Sequence, residues 1–293
     1  MPLFYRDITT RGYEPDAQAT LGIPRYLNFL EWLRWEFIQD PETGLADGLS
    51  TGHFPVVRSQ RFELLQRIGM GVQLGLWARV LKVGRSTVTL EHHVIDKKTE
   101  SLVAHAIVEG LWLGPSRRLV RIPDPFRELA QVHLETPPLQ TTLAPPAEPQ
   151  GEGPLIHTAP EPWIFPQRGL DLALTERASQ AFTWELQVRP SDIDIFSHMN
   201  AATYVDTFED ALYQAHKAGA FGDRLKDRPG PVQRLVIRYE REALLGDLLE
   251  VSCWPAPSGA WGMELRRPED DALLCRATLY CAKGSRFAGP KVL

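Results

Sequence analysis

The sequence predicts an α+β protein in which one unit occurs twice, each copy an antiparallel sheet wrapped around a single long helix. Three observations carry that reading. Laid over itself at an offset of 178, the chain matches Phe4 with Phe182, Arg11 with Arg189, Asp16 with Asp194, Tyr26 with Tyr204 and Glu31 with Glu209. A later window, at an offset of 177, matches Arg61 with Arg238, Glu63 with Glu240, Gly69 with Gly246 and Trp77 with Trp254. Both copies run strand, loop, long helix and then several strand-like segments, an α+β order rather than alternating βαβ. Between them the composition changes, with nine of the 24 prolines falling from Thr136 to Gln167, as in an extended linker. The chain therefore divides into a first unit over 1–130, a linker over 131–178 and a second unit over 179–293, in line with a prior of about 150 residues per domain. Two copies are too few for a solenoid and suit a pair that buries a shared surface.

In the first unit, Pro24 fits a first helical turn, and a helix follows over 24–39. It carries Tyr26, Leu27, Phe29, Leu30, Trp32, Leu33, Trp35, Phe37 and Ile38, enough apolar surface to predict burial around most of its circumference. Asp40-Pro41 stops it. Strand-like runs follow near Val56–Leu64, Val72–Val83, Ser86–Asp96 and Leu102–Leu113, and the unit closes near Phe126. Within the linker, Trp163, Ile164 and Phe165 are the apolar exception and suit a segment pinned back onto a domain.

The second unit opens with alternation over Phe182–Val188 and continues with a helix over 201–218, built on Tyr204, Val205, Phe208, Ala211, Leu212 and Ala215. After Gly219–Pro231, strands are expected near Val232–Glu240, Asp247–Pro255, Ala260–Arg266 and Leu273–Ala282, with a loose tail from Gly284. The two sheets are expected to join edge to edge, which protects their edge strands. Between the first strand and the helix lies the richest stretch, Asp192-Ile-Asp194-Ile-Phe196-Ser-His198-Met-Asn200. Asn200 is placed as the helix N-cap, and a helix N-terminus offers unpaired N–H groups and partial positive charge to a developing oxyanion. Residue by residue, the same string also reads as a capping turn, with Asp192 and Asn200 bonding backbone and His198 exposed.

Composition narrows the classes. A net charge of −5 and the lack of any basic run give no reason to expect nucleic acid. The three cysteines, Cys253, Cys275 and Cys281, lie in apolar runs without metal-ligand spacing, as buried reduced thiols in a cytoplasmic protein would. No apolar stretch is long enough to span a membrane, and Met1–Asp7 lacks a signal-peptide layout. His92-His93 in a strand points to opposite faces and makes a poor metal site, so no metal and no cofactor are expected. Arg117, Arg118 and Arg121 read as a solvated basic turn that would also suit carrier phosphates.

The run Asp-x-Asp-x-Phe-x-His-x-Asn-x-x-x-Tyr from Asp192 to Tyr204 resembles the signature of hotdog-fold thioesterases. With both copies in view, the chain is similar to the acyl-ACP thioesterases, tandem double-hotdog relatives of the 4-hydroxybenzoyl-CoA thioesterase-like enzymes. Arg11-Gly-Tyr13-Glu14-Pro-Asp16 and Leu27-Asn28-Phe-Leu30-Glu31 resemble that family's N-terminal segment, and Tyr239-Glu-Arg241-Glu242-Ala243 resembles its later strand motif. The resemblance implies hydrolysis of fatty acyl-ACP or acyl-CoA in fatty acid biosynthesis, with the carrier thioester as partner and a pseudo-dimer within one chain, compatible with a further homodimer. It implies catalysis at Asp194, His198 and Glu242. Two positions depart from the family: Phe196 stands where a catalytic asparagine is expected, and Ala243 where a cysteine is frequent.

The chemistry itself needs an attacking oxygen, donors for the oxyanion and a dry tunnel for the acyl chain. Asp194 is placed to attack the carbonyl or to activate water. Asn200, Ala201 and Ala202 offer oxyanion donors, and Trp32, Trp35 and Phe196 offer acyl-pocket walls. In the first unit Thr20, Gly22 and Leu65 replace His198, Asn200 and Glu242, so one working site per chain is expected. The alternative from another class is a non-catalytic acyl-thioester-binding or regulatory protein. A dehydratase on the same fold has no supporting motif.

Overall fold

Ten strands account for most of the apolar alternation. The computed structural model of the chain describes residues 4–16, 19–134, 174, 176–227 and 229–282; the proline-rich segment with Trp163, Ile164 and Phe165, and the tail from Gly284, lie outside them. In the first unit β1 (Phe4–Thr9) leads to α1 (Ile23–Ile38), a short α2 (Leu45–Ser50), and then β2 (Phe54–Leu64), β3 (Gln73–Val83), β4 (Thr87–Asp96) and β5 (Ser101–Leu113). A helix the sequence reading did not foresee, α3 (Asp124–Leu134), follows. In the second unit β6 (Phe182–Gln187) leads to α4 (Ala201–Lys217), β7 (Val232–Tyr239), β8 (Leu248–Pro255), β9 (Trp261–Arg267) and β10 (Ala272–Cys281).

All ten strands join in one antiparallel sheet, ordered β1-β3-β4-β5-β2-β7-β10-β9-β8-β6. Read outward from the β2–β7 seam, both halves give second, fifth, fourth, third and first strand of their unit, so the duplication is also a pseudo-twofold of the sheet. At the seam Ser59 faces Arg238, Arg61 faces Val236 and Glu63 faces Arg234, the last pair closed by an ion pair at 2.8 Å. The join removes two edges that would otherwise expose unpaired backbone.

The two long helices lie against each other inside this curved sheet and share one core. From α1, Tyr26, Leu27, Leu30 and Leu33 enter it; from α4, Val205, Phe208, Ala211 and Leu212 do. Tyr26 and Tyr204, mates in the duplication, are both buried. Burial runs around most of α1, and of the apolar residues expected to share it Trp32 is the exposed one, at 38%. α3 places Phe126 and Ala130 against Phe37, Ile38, Leu45 and Trp112, closing the far end of the first unit with a second, smaller core.

Candidate active site

The loop from β6 to α4 is built before any chemistry is asked of it. Asp192 is buried, and its carboxylate accepts from the Arg189 backbone N–H at 2.8 Å and from the Arg189 guanidinium. Burial disfavours its charge, but those donors outweigh burial and hold it below the usual carboxylate range. Its carbonyl accepts the Asn200 N–H at 2.8 Å, tying the two ends of the loop together. Between them, Asp194 N–H donates to the His198 carbonyl and Ser197 N–H to the Asp194 carbonyl, with Ser197 in the left-handed region at φ +64°. The first unit makes the same turn: Asp16 N–H donates to Thr20, Ala19 N–H to Asp16, and Ala19 has φ +59°. The duplicated backbone survives where the side chains have diverged.

That turn brings Asp194 and His198 together. His198 Nδ1 lies 3.0 Å from Asp194 Oδ2, an ion-pair contact when the ring is protonated. Asp194 Oδ1 accepts the Phe196 N–H at 2.8 Å. Both side chains are about 15% exposed, so His198 is not the free surface residue that a mere capping turn would leave. Asn200 is the N-cap of α4: its Oδ1 accepts the Ala202 N–H at 2.8 Å. Its Nδ2 reaches across to the other unit and donates to Glu31 Oε2 at 2.9 Å.

These bonds correct the expected set of oxyanion donors. The Asn200 N–H is committed to Asp192 and the Ala202 N–H to the cap, so neither is available. Among the described residues, Ala201 N–H is the one of the three without an acceptor, and Ala201 lines the cavity beside Asp194.

The cavity holds about 450 Å³ and runs from Asp194 and His198 into the first unit, between α1 and the inner face of β2, β4 and β5. Phe196 stands at its neck, stacked on Trp35 at 5.5 Å and on Phe54 at 5.4 Å, with the His198 ring 6.0 Å away. Beyond the neck the walls are apolar, among them Leu45, Val88, Leu90, Val108, Ile122 and Phe126. Trp32 does not join them; it lies in a separate groove with Asp7, Arg25 and Asn28. Glu242 lines the lip but ion-pairs with Arg117 from the first unit rather than polarising His198. Arg117 in turn lies over the Phe54 ring. Glu31, Arg34 and Arg117 are thus cavity residues that the sequence reading did not assign to the pocket, and Phe54 backs Phe196 and Arg117 from behind it. For Glu31 a signal existed in its match with Glu209, and for Arg34 in being the one cation between Glu31 and Trp35 on an aromatic-rich helix.

Elsewhere, Glu91, His93 and His105 bring potential metal-ligand atoms within 4.8 Å of one another. His93 and His105 face each other across β4 and β5 while His92 is fully buried, the pleat alternation that was expected. Glu91 is ion-paired with Arg79 and bonded to His105 at 2.9 Å, and none of the three lines the Asp194 cavity. Cys253 and Cys275 are buried and Cys281 partly so; burial pushes all three thiols up, so they are poor nucleophiles. Among the described residues no helix is long and apolar enough to cross a membrane.

Residues 175–260 match the acyl-ACP thioesterase C-terminal domain family, and residues 13–130 match the thioesterase-like superfamily. No curated protein matches the chain. Among solved structures, a Lactobacillus plantarum protein named as an oleoyl thioesterase superposes with a TM-score of 0.69 at 17% identity, covering 97% of each chain. The 12:0-ACP thioesterase of Umbellularia californica gives 0.69 at 14%, covering 96% of this chain and 98% of its own. An acyl-ACP thioesterase of Bacteroides thetaiotaomicron gives 0.66 at 16%, covering 94% and 96%. At such identities these structures establish the double-hotdog fold, while the two family matches reach into both units. The chain thus matches the acyl-ACP thioesterase C-terminal domain in its second unit and the thioesterase-like superfamily in its first, and it is a thioesterase, hydrolysing acyl thioesters.

Proposed function

We propose that hydrolysis runs at a single site in the second unit, with Asp194 as general base, on acyl thioesters whose chain lies in the first unit. The observation that carries this is the Asp194–His198 pair at the mouth of an apolar cavity, beside an N–H at the start of α4 that is free among the described residues. Asp194 Oδ1 is held by the Phe196 N–H and His198 Nδ1 stands 3.0 Å from Oδ2, an arrangement that keeps the carboxylate turned toward water and disfavours its release as a covalent nucleophile. Water attacks the thioester carbonyl as Asp194 takes its proton. The oxyanion meets the Ala201 N–H and the positive end of the α4 dipole. The carbon–sulfur bond then breaks, and the proton passes to the thiolate, a leaving group good enough to need no strong acid.

His198 positions Asp194. Glu242, held by Arg117, shapes the lip where the carrier arm enters, and Arg58 and Arg241 on the same rim suit the phosphate that acyl carrier protein and coenzyme A arms share. The test is thiol release from matched acyl-ACP and acyl-CoA substrates by the full chain and by Asp194→Asn. Turnover lost in the variant supports the reading. Binding without turnover in the unaltered protein, or trapping of an acyl group on Asp194 by hydroxylamine, overturns it.

A further inference from the structure

The first unit's sheet carries a polar cluster on the face turned away from the core. Along β4, Leu90, His92 and Val94 are buried, while Glu91 and His93, between them, point to the opposite face. The pleat therefore splits His92 from His93, but His93 finds a second imidazole across the strand in His105 of β5. Glu91 Oε1 lies 2.9 Å from His105 Nε2 and 3.6 Å from His93 Nε2, so both rings aim the same nitrogen at one carboxylate oxygen. The shorter separation is a hydrogen bond. The longer one is not, and His93 Nε2 faces the pair across a gap.

That gap has the dimensions of a metal site. Imidazole and carboxylate donors hold a zinc ion at about 2.0–2.2 Å, which sets two ligand atoms of a tetrahedron about 3.4 Å apart. The two separations bracket that spacing, and all three donor atoms lie within 4.8 Å of one another. Arg79 ion-pairs with the other oxygen of Glu91, which turns Oε1 toward the histidines. Burial disfavours the Glu91 charge, but His105, His93 and Arg79 outweigh it and hold the carboxyl well below the usual range, so it is ionised.

The second unit closes its counterpart differently. On β9, its fourth strand, Glu264 alternates with the core residues Met263 and Leu265 and is ion-paired with Arg266 and Arg276. A guanidinium satisfies a carboxylate but has no lone pair for a metal, whereas a neutral imidazole has one. The fold thus does without histidines at such a carboxylate, and the first unit has two.

We propose that Glu91, His93 and His105 bind a zinc(II)-class ion on the outer face of the sheet, fastening β4 to β5. Two imidazoles and one carboxylate suit zinc and its first-row neighbours over magnesium and calcium, which take oxygen donors. Three protein donors leave a fourth corner to water, on the side where His93 is 20% exposed. The ion stands apart from thiol release, since none of its three ligands lines the Asp194 cavity.

The test is calorimetric titration of the chelator-treated full chain with zinc(II) alone and with magnesium(II) alone. One equivalent of zinc should bind, and magnesium should not. At a hundredfold excess over Kd, zinc should raise the melting temperature by about 5 °C. His93→Gln, at the more exposed ligand, should fold as before and weaken zinc binding by more than about a hundredfold, the upper end for losing a mere outer partner. His105→Gln should do the same, and if it melts early, His93→Gln carries the comparison. Asp194→Asn should take up zinc as the unaltered protein does. Absence of zinc uptake by the folded protein, undiminished affinity in His93→Gln, or loss of uptake in Asp194→Asn overturns the assignment, the last by placing the ion in the Asp194 cavity.

Discussion

Asp194 and Asp16 hold the same place in a duplicated turn with the same hydrogen bonds and the same left-handed residue three positions on. Backbone alone would make their loss equivalent; the side chains around them do not. Asp194→Asn should leave the protein folded and lower turnover by at least about a hundredfold, the scale of a lost general base. Asp16→Asn, whose neighbour Thr20 cannot replace His198, should cost about 1 kcal/mol of stability and little activity. Equal losses of turnover in two folded variants would mean two sites. A second pair of mates shows the divergence in a different way. Glu31 accepts from the Asn200 cap, but Glu209 would have to meet Gly22, which caps α1 with no side chain. Burial, with Asp206, Asp16 and Asp210 nearby, pushes Glu209 up to about 8 from an ordinary 4.5. Between those pH values the native state holds a proton that the unfolded chain has released, so stability falls as pH rises through the window. Glu209→Gln should flatten that slope and raise the melting temperature more at pH 8 than at pH 5; an unchanged slope would locate the effect in another group.

At the level of elements, the sequence was most legible where period and spacing are local. The nine strands read from alternation and the two long helices appear within one or two residues of their expected ends. The Asp194–His198 pair was legible for the same reason, since four residues of one turn bring it together. What sequence could not supply came from across the duplication: Glu31 reaches Asn200 over a separation of 169 residues, and Arg117 reaches Glu242 over 125. Trp32 and Trp35 could not be told apart, because only the packing of α1 decides which aromatic faces the cavity. The oxyanion donors needed the bond pattern, in which capping consumes the N–H of Ala202. α3 was missed because its amphipathic signal is short and few of its side chains reach the core. It still closes the cavity, so Phe126→Ala should lower stability by about 3 kcal/mol in urea titration. A change well under 1 kcal/mol would show α3 to be an ornament on the first unit.

For the molecule as a whole, the ten-stranded sheet and the common core make the two units one cooperative body. Core residues from both sides of the seam, Phe62 and Leu235 among them, belong to a single cluster. Heating should therefore give one transition, with near-ultraviolet and far-ultraviolet circular dichroism coinciding. Two separated transitions would mean that the seam is a contact between independent domains.

The bond from Asn200 to Glu31 has a mechanical meaning. The first turn of α4, where the carbonyl is proposed to react, takes its alignment from a helix that performs no chemistry. In the mirror position the clasp has been lost, so the machine has one tie-rod where its plan provided two. An acyl tail seated against Trp35 and Phe37, as proposed, would rest on the same helix that anchors this rod, linking the place of the tail to the seat of its own head group.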